Sequence, residues 1–170
     1  MNAFSDIKPF LRNTEELRAA MDAADPAPKP HFFHMKARLP VKGRTDTLMA
    51  TTPRTWVILK TYAEDGENEL HAHVNEDHVF LVLQGQADFR GPKNEQRIIG
   101  RHEGLIVPAG TFYRFNALPG EQLVMARIGF LVNPGTDPHE RIGHAGEEMD
   151  GFAKANRTVE VELHPTAVFG

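Results

Sequence analysis

Residues 71–85 read His-Ala-His-Val-Asn-Glu-Asp-His-Val-Phe-Leu-Val-Leu-Gln-Gly and set three imidazoles beside a strand that ends in glycine. Side chains on a strand alternate between faces, so His71 and His73 point to the same side. The polar break Val74-Asn75-Glu76-Asp77 lets the chain turn, so that a neighbouring strand carries His78 back towards the first two rings. Histidine is the commonest metal ligand, and this stretch has the outline of a metal site. His78, Phe80 and Val82 are expected inside. Val79, Leu81 and Leu83 on the opposite face are just as apolar, as in strands covered on both sides. The N-terminal segment or a second subunit is expected to cover that outer face, and a homodimer is the preferred expectation.

Outward from this stretch, short strand-like runs alternate with Gly, Pro, Asn and Asp from about Thr55 onward. They are Trp56–Leu59, Val79–Leu83, Gln86–Phe89, Arg97–Ile99, Leu105–Val107, Phe112–Phe115 and Leu123–Ile128. Their regular spacing predicts an all-β sandwich or barrel. Helix is expected only at the ends. Asn13-Thr14-Glu15-Glu16 has the form of a capping box, Leu17 and Met21 share a face, and Pro26 ends the helix. Pro26, Pro28 and Pro30 then make a stiff connector. The predicted organisation is an arm over residues 1–35, a barrel over 36–133 and a wrapping tail over 134–170, with one β-like run from Thr158 to Leu163.

A chain of 170 residues buries a core without staples, and the absence of cysteine excludes disulfides, thiolate metal sites and cysteine nucleophiles. It also makes a cytoplasmic location the expectation. No apolar run approaches the ~20 residues of a membrane span. Nineteen basic against 23 acidic residues, a net charge of −4, argue against nucleic acid or anionic membrane as partner. A small molecule is the expected ligand.

The motifs resemble those of the cupin superfamily. Its first signature is a Gly, then H-x-H, three or four residues, usually Glu, six residues and Gly; its second is P-x-G-x-x-H with a later Asn. His71, His73 and Gly85 match the first, with Gly66 one residue closer to His71 than usual. Pro108-Ala109-Gly110 opens the second, and Asn116 falls one place early. The resemblance covers the middle third of the chain and implies a jelly-roll barrel around a single divalent transition metal, preferably Fe(II), with Ni, Mn, Zn or Cu as other options. Two positions depart from it: His78 stands where the Glu is usual, and Tyr113 where the fourth ligand, His, is usual.

The implied metal shell is therefore His71, His73 and His78. Three neutral imidazoles leave the divalent charge uncompensated and favour an anionic substrate. A slip in strand register would instead bring in Glu76 or Asp77 and make a two-histidine, one-carboxylate triad. Tyr113 is read as ligand, as acid or base, or as an ordinary half-buried tyrosine. Arg127, on a face with Met125 and Gly129, is the candidate to clamp a substrate carboxylate. Phe80, Phe112, Phe115 and Trp56 are the candidate dry walls. His31, His34, His102, His139, His144 and His164 are read as solvated. Three functions follow from these expectations. The first is a non-haem iron dioxygenase acting on a small anionic or dicarbonyl substrate. The second is a metal-dependent lyase or isomerase using Tyr113, similar to cupin lyases that cleave dimethylsulfoniopropionate. The third is a non-catalytic binding barrel.

Overall fold

The computed structural model describes residues 4, 6–64, 66–157 and 159–170. One helix, α1 (Thr14–Asp22), precedes twelve strands. These are β1 (Ala37–Lys42), β2 (Arg44–Thr51), β3 (Thr55–Tyr62), β4 (Gly66–His73), β5 (Glu76–Gln84), β6 (Gln86–Arg90), β7 (Gln96–Gly100), β8 (Gly104–Val107), β9 (Tyr113–Ala117), β10 (Leu123–Leu131), β11 (Arg141–Gly143) and β12 (Glu162–Phe169). Two five-stranded sheets, ordered β2-β3-β10-β5-β8 and β11-β4-β9-β6-β7, form the barrel, and β1 and β12 make a separate two-stranded ribbon. Every pairing is antiparallel.

Alternation along the strands sorts the side chains. His78, Phe80 and Val82 of β5 are buried, and opposite them on β10 lie Gly129, Arg127 and Met125. From the other sheet come His71 and His73 of β4, Tyr113 and Phe115 of β9, and Ala87 and Phe89 of β6. One end of the interior is dry, an aromatic stack of Phe80, Phe89 and Phe115 with Tyr62, Val82, Leu123 and Met125. The other end is charged: Arg44, Asp46, Lys60, Glu67 and Arg127 are all buried there. Apolar area removed from water drives the first half at roughly 25 cal/mol per Å2. The second half persists only because its charges pair.

Two glycines make the barrel possible. Gly85 joins β5 to β6 with φ +71°, and a Cβ there would lie 2.8 Å from the Gln122 carbonyl oxygen. Gly66 opens β4 so close to β9 that a Cβ would lie 1.9 Å from the Phe115 carbonyl oxygen.

The helix forms where the capping residues place it. Asn13 is the N-cap and its side chain accepts from the Glu16 amide at 2.8 Å, while the Glu16 carboxylate accepts from the Arg12 amide. The helix stops at Asp22, before Pro26. Leu17 packs with Leu11, Trp56 and Ile58, and Met21 joins the rim of that cluster, so the helix closes over the charged end of the barrel. The outer face of the β2-β3-β10 sheet is covered differently. Leu39, Met49, Leu59 and Val124 form a layer with Leu83, Ala167 and Phe169, contributed in part by the β1–β12 ribbon. Leu81 and Ile106, further along the same face, remain 38% and 70% exposed. The β-like run expected from Thr158 begins outside the described residues, and the strand itself starts only at Glu162. No helix among the described residues is long and apolar enough to cross a membrane.

His139, read as solvated, is half-buried with its ring edge-on to Trp56 at 5.7 Å. Burial, with Arg127 as the next cause, lowers its pKa from 6.5 to about 4. A neutral histidine whose folded pKa is depressed lends stability that is complete above the ordinary pKa and lost as pH falls towards the folded one. Urea midpoints at pH 7 and pH 5 should therefore fall more for the wild-type chain than for His139→Asn. Separately, Gly66→Ala should cost about 1–3 kcal/mol or more, read in the same urea titrations, because the clash is with backbone that cannot swing away.

Candidate metal centre

Loop and strand pairing together assemble the site. The turn Pro108-Ala109-Gly110 is pinned from two sides: the Ala109 amide donates to Asp77 Oδ1 at 2.7 Å, and the Gly110 amide donates to the His73 carbonyl at 2.7 Å. This anchoring sets the start of β9, whose Tyr113 pairs with His71 on β4. On the opposite sheet, His78 pairs with Gly129, which lets Trp56 and Glu76 approach: a Cβ at 129 would lie 2.2 Å from Trp56 and 2.3 Å from Glu76 Oε1.

The three imidazoles stand around one another, with centroids 5.4 Å apart for His71 and His73 and 4.9 Å apart for His73 and His78. Tyr113 is 4.5 Å from His71 and 5.3 Å from His78 by the same measure. Among the described residues, two sets of donors lie within 4.8 Å of one another: Glu67, His71 and His73; and His73, Glu76 and His78. Ligands held at ~2.1 Å from one cation stand ~3–4 Å apart, so small adjustments suffice for either set. Each set contains a glutamate, so the carboxylate missing from the three-histidine shell lies beside it. His73 belongs to both.

The donors fit a cation on a second count. His71 Nε2, His73 Nε2 and both ring nitrogens of His78 are buried with no hydrogen-bond partner among the described residues. His71 Nε2 lies 3.0 Å from Glu67 Oε2 without hydrogen-bond alignment. The far nitrogen of His71 is held, Nδ1 lying 2.8 Å from the Glu69 carbonyl, while His73 Nδ1 lies 3.1 Å from Glu76 Oε2 and 3.5 Å from the Arg127 guanidinium. Holding Nδ1 of His71 in this way fixes the ring and its tautomer and aims Nε2 at an ion. Burial first, and then neighbouring arginines, lower the pKa of all three imidazoles and keep them in the neutral, ligating form.

Charge around the donors is dense. Burial disfavours ionised Glu67, but Lys60 and Arg141 outweigh it and hold the carboxyl well below the usual range. Glu67 Oε1 lies 3.0 Å from Lys60 Nζ and 3.4 Å from Arg44, and Lys60 also reaches Asp46 at 2.9 Å. Arg127 faces inward as expected, but its guanidinium is bound to Glu76. Tyr113 donates to Glu67 Oε2 at 3.4 Å, and burial raises its pKa well above 10, so it is a neutral phenol and not a base.

A cavity of about 740 Å3 opens onto this cluster, and its lining includes Arg44, Lys60, Glu67, His73, Arg127 and Arg141. The dry part of its wall is Leu11, Leu17, Ile58 and Phe152. The aromatic residues expected there lie elsewhere. Phe80 and Phe115 are wholly buried behind Tyr113, where the barrel needs a dry plug, and Trp56 is buried under α1. Phe112 is half-buried against His144. Four contributors, Glu67, Lys60, Arg44 and Arg141, are not among the expected site residues. Glu67 shares the alternation parity of His71 and His73, and that signal was available. Arg44 shares its face of β2 with Asp46, Lys60 interrupts a face of β3 that is otherwise Trp56, Ile58 and Tyr62, and Arg141 belongs to a three-residue strand with no pattern of its own.

No protein-family model matches the chain, and no curated protein matches it. Solved structures do. Pac13 from Streptomyces, described as a unique nucleoside dehydratase, superposes with a TM-score of 0.51 at 13% identity, over 77% of this chain and 100% of that one. KdgF from Halomonas sp. gives a TM-score of 0.48 at 21% identity, over 59% and 94% of the two chains. A cupin superfamily protein from Desulfitobacterium hafniense gives 0.48 at 22% identity, over 65% and 98%. With two antiparallel five-stranded sheets closed over an interior histidine cluster, the chain has the cupin fold.

Proposed function

We propose that this protein is a metal-dependent enzyme, a non-haem iron dioxygenase acting on a small anionic or dicarbonyl substrate. One observation supports this reading above the others: two histidines and one glutamate with orphaned ring nitrogens lie together, and two of them, Glu67 and His73, line a cavity with buried cationic walls. Two histidines and a carboxylate with open positions are the ligand set of non-haem Fe(II) oxygenases. An iron(II) ion held there supplies a Lewis acid and a one-electron centre; nickel, manganese, zinc and copper suit the same donors. The Glu69 carbonyl fixes the His71 ring, and Lys60 and Arg141 hold Glu67 ionised. Tyr113, protonated, offers a hydrogen-bond donor towards the Glu67 side of the site.

A second reading, a metal-dependent lyase or isomerase, is favoured by that same Tyr113 hydroxyl, placed 3.4 Å from Glu67 Oε2 as an acid. Pac13, described as a dehydratase, illustrates non-oxidative chemistry in a barrel of this shape. We place the protein in the cytoplasm on its lack of cysteine. We also propose a homodimer that covers Leu81 and Ile106.

Elemental analysis of untagged protein should find a transition metal. His73→Ala, common to both donor sets, should weaken metal binding by more than about 100-fold, beyond the ~10–100-fold of an outer partner. Glu67→Gln and His78→Ala then tell which set holds the ion. Tyr113→Phe should keep the metal, and loss of turnover in it together with undiminished anaerobic activity would replace the dioxygenase reading with the lyase. Light scattering should give twice the monomer mass, reduced to one by Ile106→Arg.

A further inference from the structure

The buried cations of the cavity are not equally served. Lys60 has carboxylates at 2.9 and 3.0 Å. Arg127 is bound to Glu76. Arg44 donates to Glu67 at 3.4 Å and to the Gly151 carbonyl at 2.5 Å. Arg141 has only Glu67 Oε2, at 3.7 Å, and its terminal NH1 is buried with no hydrogen-bond partner among the described residues. Arg44 and Arg127 also leave a nitrogen unpaired, but it is the inner Nε, and their guanidinium ends are engaged.

Arg141 is 8% exposed and held from behind. Its strand pairs with β4 so that it stands opposite His73, and the Met149 amide donates to its carbonyl at 2.9 Å. Its guanidinium lies flat against Gly151, where a Cβ would come within 2.8 Å of it. The side chain is thus fixed while one of its donors lacks an acceptor. A buried guanidinium in that state costs free energy that an incoming anion returns. The acidic residues at the cavity rim do not supply that anion: Asp137 is paired with Arg18, Glu140 with Asn75 and Asp150 with Thr14, and Glu148, which is exposed, forms no ion pair with Arg141 among the described residues.

We infer that Arg141 anchors a carboxylate of the substrate. A planar singly charged group matches a planar fork with one free end, whereas a phosphate dianion asks for more donors than the position offers. The inference deepens the function proposed above and rests on it for the reacting end: Glu67, the nearest carboxylate to Arg141, belongs to a donor set, so a carboxylate bound at Arg141 turns its α-substituent towards the imidazoles. The substrate class is a small 2-oxo or 2-hydroxy carboxylate.

Calorimetric titration of the full, chelator-treated chain with pyruvate, lactate, pyruvamide and inorganic phosphate tests this. Pyruvate or lactate should bind saturably, and pyruvamide, which lacks the charge, at least ~10-fold more weakly. Arg141→Gln should lose a similar factor, and Arg141→Lys should fall between. Equal binding of pyruvate and pyruvamide, undiminished binding by Arg141→Gln, tighter binding of phosphate, or no binding of either acid would overturn the assignment. Should Arg141→Gln not fold, the wild-type preference for acid over amide and the Arg141→Lys titration decide. A wild-type chain that binds pyruvate yet takes up no metal would remove the metal reading and leave the anchor standing; one that takes up metal and ignores both acids would do the reverse.

Discussion

The ionised state of Glu67 is the constraint around which the charged half of the barrel is organised. This carboxylate is 1% exposed and is approached by Lys60, Arg44, Arg141, His71 and Tyr113. A buried pair is weak evidence for stability in itself, but breaking one by removing a single partner strands the others, at about 3–5 kcal/mol. Remove Glu67 and two arginines and a lysine lose a shared counter-charge inside the protein. The same carboxylate lies within ligand distance of two imidazoles. Holding the barrel together and offering a metal a ligand are therefore two uses of one group, and they compete: whatever Glu67 gives to an ion, it withdraws from Lys60 and Arg44.

That competition explains the division of the interior. Phe89 stacked on Phe115, with Phe80 edge-on to Phe115, excludes water from one end. The other end can then carry groups that would be intolerable in a uniformly polar or poorly packed barrel. Tyr113 stands at the boundary, with its ring against Phe89 and Phe80 and its hydroxyl on Glu67. Its raised pKa belongs to that position, since the dry side penalises the phenolate and Glu67 penalises it again.

Much of this was legible in the residues, where the pattern was hydrophobic. The runs at Trp56, Val79, Gln86, Arg97, Leu105 and Leu123 lie in strands, the run from Phe112 does so from Tyr113 onward, and the helix cap at Asn13 forms as its side chain dictates. The histidines of the resemblance do come together around Tyr113. Legibility fails where the barrel turns polar inside. In β2 the inward positions are Arg44 and Asp46, and an alternation test reads them as a solvent face. Arg127 was correctly turned inward, but its partner Glu76 sits on a neighbouring strand, and sequence spacing says nothing about which carboxylate it meets. The dry walls were assigned to the largest aromatics of the strands, yet Phe80 and Phe115 serve the plug, and the dry wall of the cavity comes from Leu11 and Leu17 near one end of the chain, Phe152 near the other, and Ile58 of β3. Those ends lack periodicity because their job is to cover, not to pair: β11 supplies Arg141 through three residues.

The ribbon of β1 and β12 ties residue 37 to residue 169. During synthesis, then, the layer of Leu39, Met49, Leu59 and Val124 must wait until residues 162–169 have left the ribosome before its last covering strand arrives. Contacts of such long sequence separation form slowly. In the interval the nascent barrel presents a greasy flank to its surroundings, which makes this wall, and not the histidine cluster, the place where a chaperone would bind.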